Sequence, residues 1–359
     1  MLSIGSCWAQ GQNTIRGTVI DAQNKTPLPF VNIVVDGDAH LGTTTDVDGY
    51  FELDVNHAAG VYLDLSYVGY RSQRYFLDSL SQPLSLTLKK TSTKLNEIVV
   101  LAGENPAYRL IRLAQANRQQ HNPERIPTFT CGVYHKVRIY SQKRNAPEKA
   151  QRVGVDSSIY YSLMETVSSL NYKSFDLIRE DIHAVRWSGF KRPEFVTIMG
   201  ELQPFGFHRA NIIILDREYF NPIAGGSIAQ YEFRLEDTLY QGVDTVYTLR
   251  FFPRKGSTVD ALKGVLQINT NGYALQSVRA RPAAFVQNQK LEMAIEQQYE
   301  YVNDQYWFPT QHNFEIEFAP HRKDTFIMQG KKYFSEVVFD TTLRRREFGW
   351  NKVNLDDEA

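Results

Sequence analysis

Apolar and polar side chains alternate with a two-residue beat through most of this chain, and that period constrains the fold more than any other feature. In "TFTCGVYHKVRI" (128–139), Phe129, Cys131, Val133, Val137 and Ile139 share one face of an extended segment. The 20 Tyr and 21 Phe, many of them in such runs, also favour strands. A mainly β protein is therefore expected. At 359 residues it has room for two domains. Lys plus Arg equals Asp plus Glu at 40 each, so no global field draws in nucleic acid or an anionic surface. No apolar run reaches the ~18–20 residues of a membrane helix, and runs such as "NIIIL" (211–215) suit buried strands. A membrane barrel would need strands of about 10 residues, with room for about eight of them from 126 onward. The alternating faces there carry frequent charge, so a soluble β-domain is the expectation.

Residues 14–89 divide into strand-like runs at short, regular spacing, the pattern of a small sandwich: "TIRGTVID", "KTPLPFVNIVVDG", "VYLDLSYVGYRSQRYF" and "LSLTLKK". Pro27 and Pro29 suit the entry to a strand, where a missing N–H costs little. Within "GTTTDVDGYFEL" (42–53), Asp46 and Asp48 precede Gly49 as in half a calcium loop. Placing Gly49 at loop position 6 puts Val55 at position 12, where a bidentate glutamate is needed. Asp48-Gly49 is instead expected to form a two-residue hairpin turn.

The order Gly17-x-Val19-x-Asp21, "PLPFVNIVV", "GTTTDVDGYFEL" and "LSYVGYRSQ" resembles the carboxypeptidase-regulatory-like domain of Bacteroidetes envelope proteins. That resemblance implies a seven-stranded transthyretin-like sandwich over 12–90, an accessory or docking role, and no catalytic residues of its own. A linker, 91–125, follows. In it Asn105 is placed to cap a helix near 105–120, with Pro106 in the first turn and Ala107, Leu110, Ile111 and Ala114 on one face. His121-Asn122-Pro123 ends it. "AGENPAYRLIRLA" resembles the linker helix of an uncharacterised Bacteroidetes family, the DUF5686 type, in which a β-rich region and an outer-membrane barrel follow. The present chain would then be the soluble front part of an outer-membrane-associated protein.

From 126 to 350 an antiparallel β-rich domain is expected, with 351–359 as a tail. Asn271-Gly272 and "NDQ" (303–305) mark turns, and a polar "TLYQGVD" separates "QYEFRLED" from "TVYTLRFFPR". The succession of meandering strands is similar to the half-barrel of LolA-type periplasmic lipoprotein carriers. Residues 158–200 mix periods and leave room for a helix.

Motifs of chemistry are sparse. The eight histidines are scattered, and no H-E-x-x-H, C-x-x-C, G-x-S-x-G or P-loop occurs. His121-Asn-Pro-Glu124 has the H-x-x-E spacing of zinc carboxypeptidases, but it lies at a helix stop and reads as a solvated helix end. Glu180 and Asp181 are adjacent, so on a strand they point to opposite faces and read as surface charge rather than an acid–base pair. Arg344, Arg345 and Arg346 read as a solvated, aggregation-resistant edge. Cys131, on an apolar face, reads as a buried inert thiol. At the start, "MLSIGSCWAQGQ" leaves two readings: an export signal remnant over 1–11 cut after Ala9, or lipidation at Cys7. Either implies export to the periplasm or outer membrane and upstream residues not in this sequence. No catalytic, cofactor-binding or metal residue is assigned. The expected function is a non-catalytic envelope module, acting as docking scaffold or apolar-ligand holder with an outer-membrane or envelope partner; the alternative is a hydrolase whose site is hidden. Clustered ionisable groups with shifted pKa values would favour the hydrolase.

Overall fold

The computed structural model describes residues 13–28, 31–36, 38–46, 48–55, 60–67, 70–77, 83–90, 105–143, 159–173, 177–189, 205–214, 217–241, 243–284, 291–318, 324–339, 342–345, 348 and 353–355. The chain forms two compact units, one of residues 1–102 with 237–246 and one of 103–236 with 247–359. Both are dominated by strands, as the two-residue period requires. The processing readings for residues 1–11, Cys7 included, fall outside the described residues, as do Pro29 and Arg346.

In the first unit the strands are β1 (Asn13–Asp21), β2 (Asn32–Val35), β3 (Asp38–Thr44), β4 (Tyr50–Val55), β5 (Val61–Ser66), β6 (Tyr70–Arg71), β7 (Gln73–Leu77) and β8 (Leu84–Lys90). They form two four-stranded sheets, β4-β1-β8-β6 and β3-β2-β5-β7. Ser72 alone separates β6 from β7, so one run leaves the first sheet and enters the second. Counting it once gives the seven strands of the expected sandwich. Ile15, Val19, Phe51 and Leu53 of one sheet and Ile33, Leu63 and Leu65 of the other belong to one buried apolar cluster.

The Asp48-Gly49 turn is not a hairpin. β3 and β4 lie in different sheets, and β4 pairs with β1 through Ile15↔Leu53. The turn carries the chain between layers. The Asp46 carboxylate accepts the N–H of Asp48 (2.9 Å) and of Tyr50 (2.8 Å), and the Gly49 N–H donates to the Asp46 carbonyl (3.0 Å). Positive φ is taken by Gly49 (73°) rather than by Asp48 as well, so the type I′ geometry is absent. A local dipeptide signal identified the turn, whereas a partner strand 32 to 42 residues away in sequence, from Thr18↔Tyr50 to Asn13↔Val55, decided what it connects.

The second unit starts with α1 (Pro106–Asn117), capped by the Asn105 side chain on the Ala107 N–H, with Ala107, Leu110, Ile111 and Ala114 buried. A single 3-10 turn, Pro123–Arg125, follows. Then come β9 (Thr128–Lys143), β10 (Ile159–Lys173), β11 (Leu177–Gly189), β12 (Asn211–Ile214), β13 (Arg217–Phe220), the short α2 (Ser227–Gln230), β14 (Tyr231–Gln241), β15 (Asp244–Pro253), β16 (Leu262–Asn269), β17 (Ala274–Pro282), β18 (Leu291–Val302), β19 (Tyr306–Phe318), β20 (Asp324–Phe339) and β21 (Val353–Leu355). Eleven of these make one open sheet in the order β14-β15-β16-β17-β18-β19-β20-β9-β10-β11-β21, while β12 and β13 pair separately.

Several expectations need correction. Residues 353–355, read as tail, add a parallel edge strand to β11 through Glu180↔Val353 and Ile182↔Leu355; three residues among charges are too short to show a period. Residues 159–173 and 177–189 are strands, not helix. Buried Thr166 and Ser168 interrupt the apolar alternation there and blur the period. "NIII" is a half-buried strand with alternate residues exposed. Most of the "TLYQGVD" segment read as separating two strands belongs to β14, which runs on through Gln241. At the β16–β17 turn, Gly272 and Tyr273 carry the positive φ, one position later than the Asn-Gly pair implied. No helix among the described residues is long and apolar enough to cross a membrane, which says nothing of strands.

Candidate functional site

On one face of the large sheet a polar row crosses five neighbouring strands. Its members are direct register partners: Gln297 of β18 with His312 of β19, His312 with Lys332 of β20, Lys332 with His135 of β9, and His135 with Thr166 of β10. Direct partners in an antiparallel pair share a face. One row along the strands lie Ile295, Phe314, Gly330, Val137 and Met164; on the other side lie Phe334, Val133, Ser168 and Ile182. The polar row thus runs between two apolar clusters. One contains α1 with Val137, Phe314, Ile295 and Met164; the other contains Phe129, Cys131, Val133, Phe308 and Phe334.

Glu180 of β11 completes the group. Its carboxylate accepts the Ser168 hydroxyl at 2.7 Å and lies 3.4 Å from the Lys332 ammonium. The Glu180 and Lys332 side chains are 18% and 16% exposed, so the pair sits largely out of water. Burial raises the Glu180 carboxyl, but the Lys332 charge and the Ser168 hydroxyl outweigh it and the net shift is downward. His135 is pushed down to about 3, first by burial and then by the Lys332 charge; Glu180 opposes this. His312 is also pushed to about 3 by burial and Lys332. Its Nε2 is buried without a hydrogen-bond partner, and its ring meets Phe334 edge-on at 4.9 Å. Beside them the Cys131 thiol is raised to about 12, chiefly by burial.

The direction of these shifts limits the chemistry. A general acid or base works with a pKa near the ambient pH. Here two imidazoles are held neutral and a thiol is held protonated, each moved away from that range. The Ser168 hydroxyl donates to a carboxylate rather than to an imidazole, so it is not set up as a nucleophile. The arrangement can neutralise one charge with another and hold five strands in register.

The residues singled out by motif do not converge. His121 Nε2 faces the Gly272 carbonyl at 2.9 Å, whereas Glu124 accepts Arg209 Nε at 2.8 and 3.0 Å. The pair is not a solvated helix end: Glu124 is only 4% exposed, and Tyr172 donates to its carbonyl at 2.5 Å. Among the described residues no group of three or more His, Cys, Asp or Glu is placed to hold a metal. Asp181 lies within 2.7 Å of Arg179, away from Glu180, as opposite faces of a strand require. Glu180 itself is not surface charge. Cys131 is buried, and Arg344 and Arg345 are exposed.

In the sandwich, two of the motif segments meet. Asp21 is fully buried; its carboxylate accepts the Tyr70 hydroxyl at 2.7 Å and the Gln23 N–H at 2.7 Å, and lies 3.3 Å from Lys90. Burial raises this carboxyl, but Tyr70 and the backbone donors outweigh it and lower it overall. Gly17 is needed because a Cβ there would stand 2.7 Å from the Leu84 carbonyl oxygen across the β1–β8 pairing.

A regulatory-type sandwich followed by a helix-fronted open sheet defines a class of two-part β protein. Residues 15–100 match the CarboxypepD_reg-like domain, and residues 110–338 match a family of unknown function, DUF5686. The chain belongs to the DUF5686 family. It is also similar to a TonB-dependent receptor P3 of Formosa agariphila, at 32% identity over 101 residues, which cover 28% of this chain and 10% of the receptor. Among solved structures it is similar to a DUF1329 family protein from Desulfovibrio piger, with a TM-score of 0.26 and 13% identity over 68% of this chain and 98% of that one. Lipovitellin, in a study of its lipid–protein interactions, gives a TM-score of 0.29 at 8% identity over 61% of this chain and 26% of that one.

Proposed function

We propose that this chain is a non-catalytic module of the cell envelope, a docking scaffold forming the soluble front part of an outer-membrane-associated protein. The observation that carries the reading is the state of the polar row. Its two histidines are moved down from the neutral range by burial, its lysine is paired with Glu180, and the row lies between two buried apolar clusters. The likeness of 101 residues to a TonB-dependent receptor supports the envelope setting. The match to a regulatory-like domain supports an accessory role, on the resemblance drawn above.

Fractionation of cells expressing the full chain tests the setting: the protein is expected in the envelope fraction, and recovery in the cytoplasm would overturn it. For the non-catalytic half, purified protein is incubated with chromogenic esters, peptides and glycosides. Turnover by the natural chain that disappears in His135→Phe would replace the scaffold with a hydrolase. Solvent extraction and mass spectrometry of the same preparation distinguish a scaffold from a holder of an apolar ligand.

A further inference from the structure

The sandwich sheet β3-β2-β5-β7 carries an aromatic pair on its outer face that the scaffold reading does not use. Tyr62 of β5 and Phe76 of β7 are register partners, with ring centroids 4.9 Å apart and side chains that leave the residues 42% and 55% exposed. Next along the same two strands, Arg74 faces Asp64, and its Nε and Nη2 donate to the two carboxylate oxygens at 2.6 and 2.7 Å. The same guanidinium stands over the Tyr62 ring, 5.4 Å from its centroid. This patch lies at a sheet margin, because β7 pairs with β5 alone among the described strands.

The backbone at that margin is open in a defined way. The Tyr62 N–H donates to the Asp36 carboxylate at 2.8 Å, and the Tyr62 carbonyl accepts the Asp36 N–H at 2.8 Å. Asp36 directly follows β2, and β5 lies between β2 and β7, so both backbone groups of Tyr62 point away from β7. Tyr62 and Phe76 therefore form a non-hydrogen-bonded pair of the antiparallel ladder. The N–H and C=O of Phe76 then point out of the sheet edge, and those of Arg74, two residues earlier, point the same way. The strand is held in place from its other face, where Tyr75 Oη accepts the Thr87 N–H of β8 at 3.1 Å. The run "QRYFL" has no proline, lysine or bulge of the kind that keeps other chains off a sheet edge, and its one charge is already matched by Asp64.

We propose that this edge joins two copies of the chain, with β7 pairing antiparallel to β7 of a second copy about a twofold axis at Tyr75. The order of residues in the strand selects that occupant. A twofold contact sets each residue opposite the one equally far beyond the axis. Arg74 then faces Phe76 of the second copy, and Phe76 faces Arg74 of the second copy. These are the two residues whose backbone groups face the open edge, so the hydrogen-bonded pairs of the new ladder fall where the donors and acceptors are. Each guanidinium meets an aromatic ring, and no cation is set directly against another. A different extended peptide could use the same edge, but it would have to bring an aromatic and a cation at the same spacing. The scaffold reading stands or falls separately, since neither the fractionation nor the turnover assay depends on the oligomeric state.

Analytical ultracentrifugation of the full chain over a range of concentrations is expected to show a reversible monomer–dimer equilibrium. Hydrogen exchange in 73–77 should slow as the concentration rises, while β4, at the edge of the other sheet, should not respond. Arg74→Pro removes an N–H that faces the open edge, a position where strands tolerate proline, and should weaken dimerisation at least about tenfold. Phe76→Ser gives a second variant should Arg74→Pro fail to fold, and it too should weaken the dimer. Tyr50→Ser, which removes a ring 37% exposed on β4, should leave dimerisation unchanged. A chain that stays monomeric at every concentration would overturn the proposal, as would an undiminished dimer in Phe76→Ser or in folded Arg74→Pro. A dimer in which the 73–77 amides gain no protection would also overturn it, because the contact would not run through the strand edge.

Discussion

The sandwich and the large sheet each bury charge, but they satisfy it in different ways. In the sandwich, Asp21 is held in part by neighbours in sequence: the Gln23 and Asn24 N–H groups lie within three residues, while Tyr70 and Lys90 come from farther along the chain. In the large sheet, Glu180 depends on Lys332, 152 residues away, and His135 faces Lys332 across the β9–β20 pairing. The first arrangement is a turn with a carboxylate inside it. The second exists only once β20, β9, β10 and β11 are in register, so it rewards the correct register and penalises slippage.

If that contrast is right, the largest effects fall on the sheet. Lys332→Met leaves the Glu180 carboxylate largely buried and unpaired, and should cost about 2–4 kcal/mol in denaturant unfolding. Gly330→Ala comes next: the Phe314 ring lies against Gly330 where a Cβ would go, so the substitution should cost roughly 1–3 kcal/mol. Gly17→Ala should cost a similar amount in the sandwich, through the Leu84 carbonyl. Asn105→Ala removes the α1 cap and should cost about 1 kcal/mol.

The two regions should also separate by pH. His135, His208 and His312 have folded-state values of about 3, below their ordinary 6.5. The unfolded chain therefore binds protons first on acidification. The stability tied to these groups is complete above about pH 6.5 and declines as pH falls toward 3, by up to about 1.4 kcal/mol per histidine per pH unit. Asp21 has a lowered carboxyl with an ordinary value of 3.8, so its contribution is present above that value and is lost only below it. Hydrogen exchange at pH 6.5 and 4.5 should show protection falling in β9 and β19 while β1 changes little. Equal loss in both regions would erase the distinction.

What could be read from the sequence follows the same division. The sandwich, its order of motifs and the α1 face were legible because each signal is local: an alternating run, an Asp-Gly turn whose position though not its hairpin form was right, a capping Asn before Pro. The polar row was not. His135 sits between Val133 and Val137, Glu180 between Ile178 and Ile182, and Lys332 between Gly330 and Phe334, each a break in an apolar alternation. Taken singly, such breaks resemble surface residues or a blurred period, and Glu180 was read that way. Three charged or ionisable groups at inward positions of long strands were the available signal, but their partnership is set by register, which a single sequence does not state.

The most direct test is a double-mutant cycle on Glu180 and Lys332 in the full chain. Glu180→Leu and Lys332→Met are made singly and together, and the free energy of unfolding is measured for each. The account predicts that each single change destabilises, and that the double variant recovers most of the loss, with a coupling of about 2 kcal/mol or more. Additive losses, with no recovery in the double variant, would mean that the two charges do not hold the sheet together.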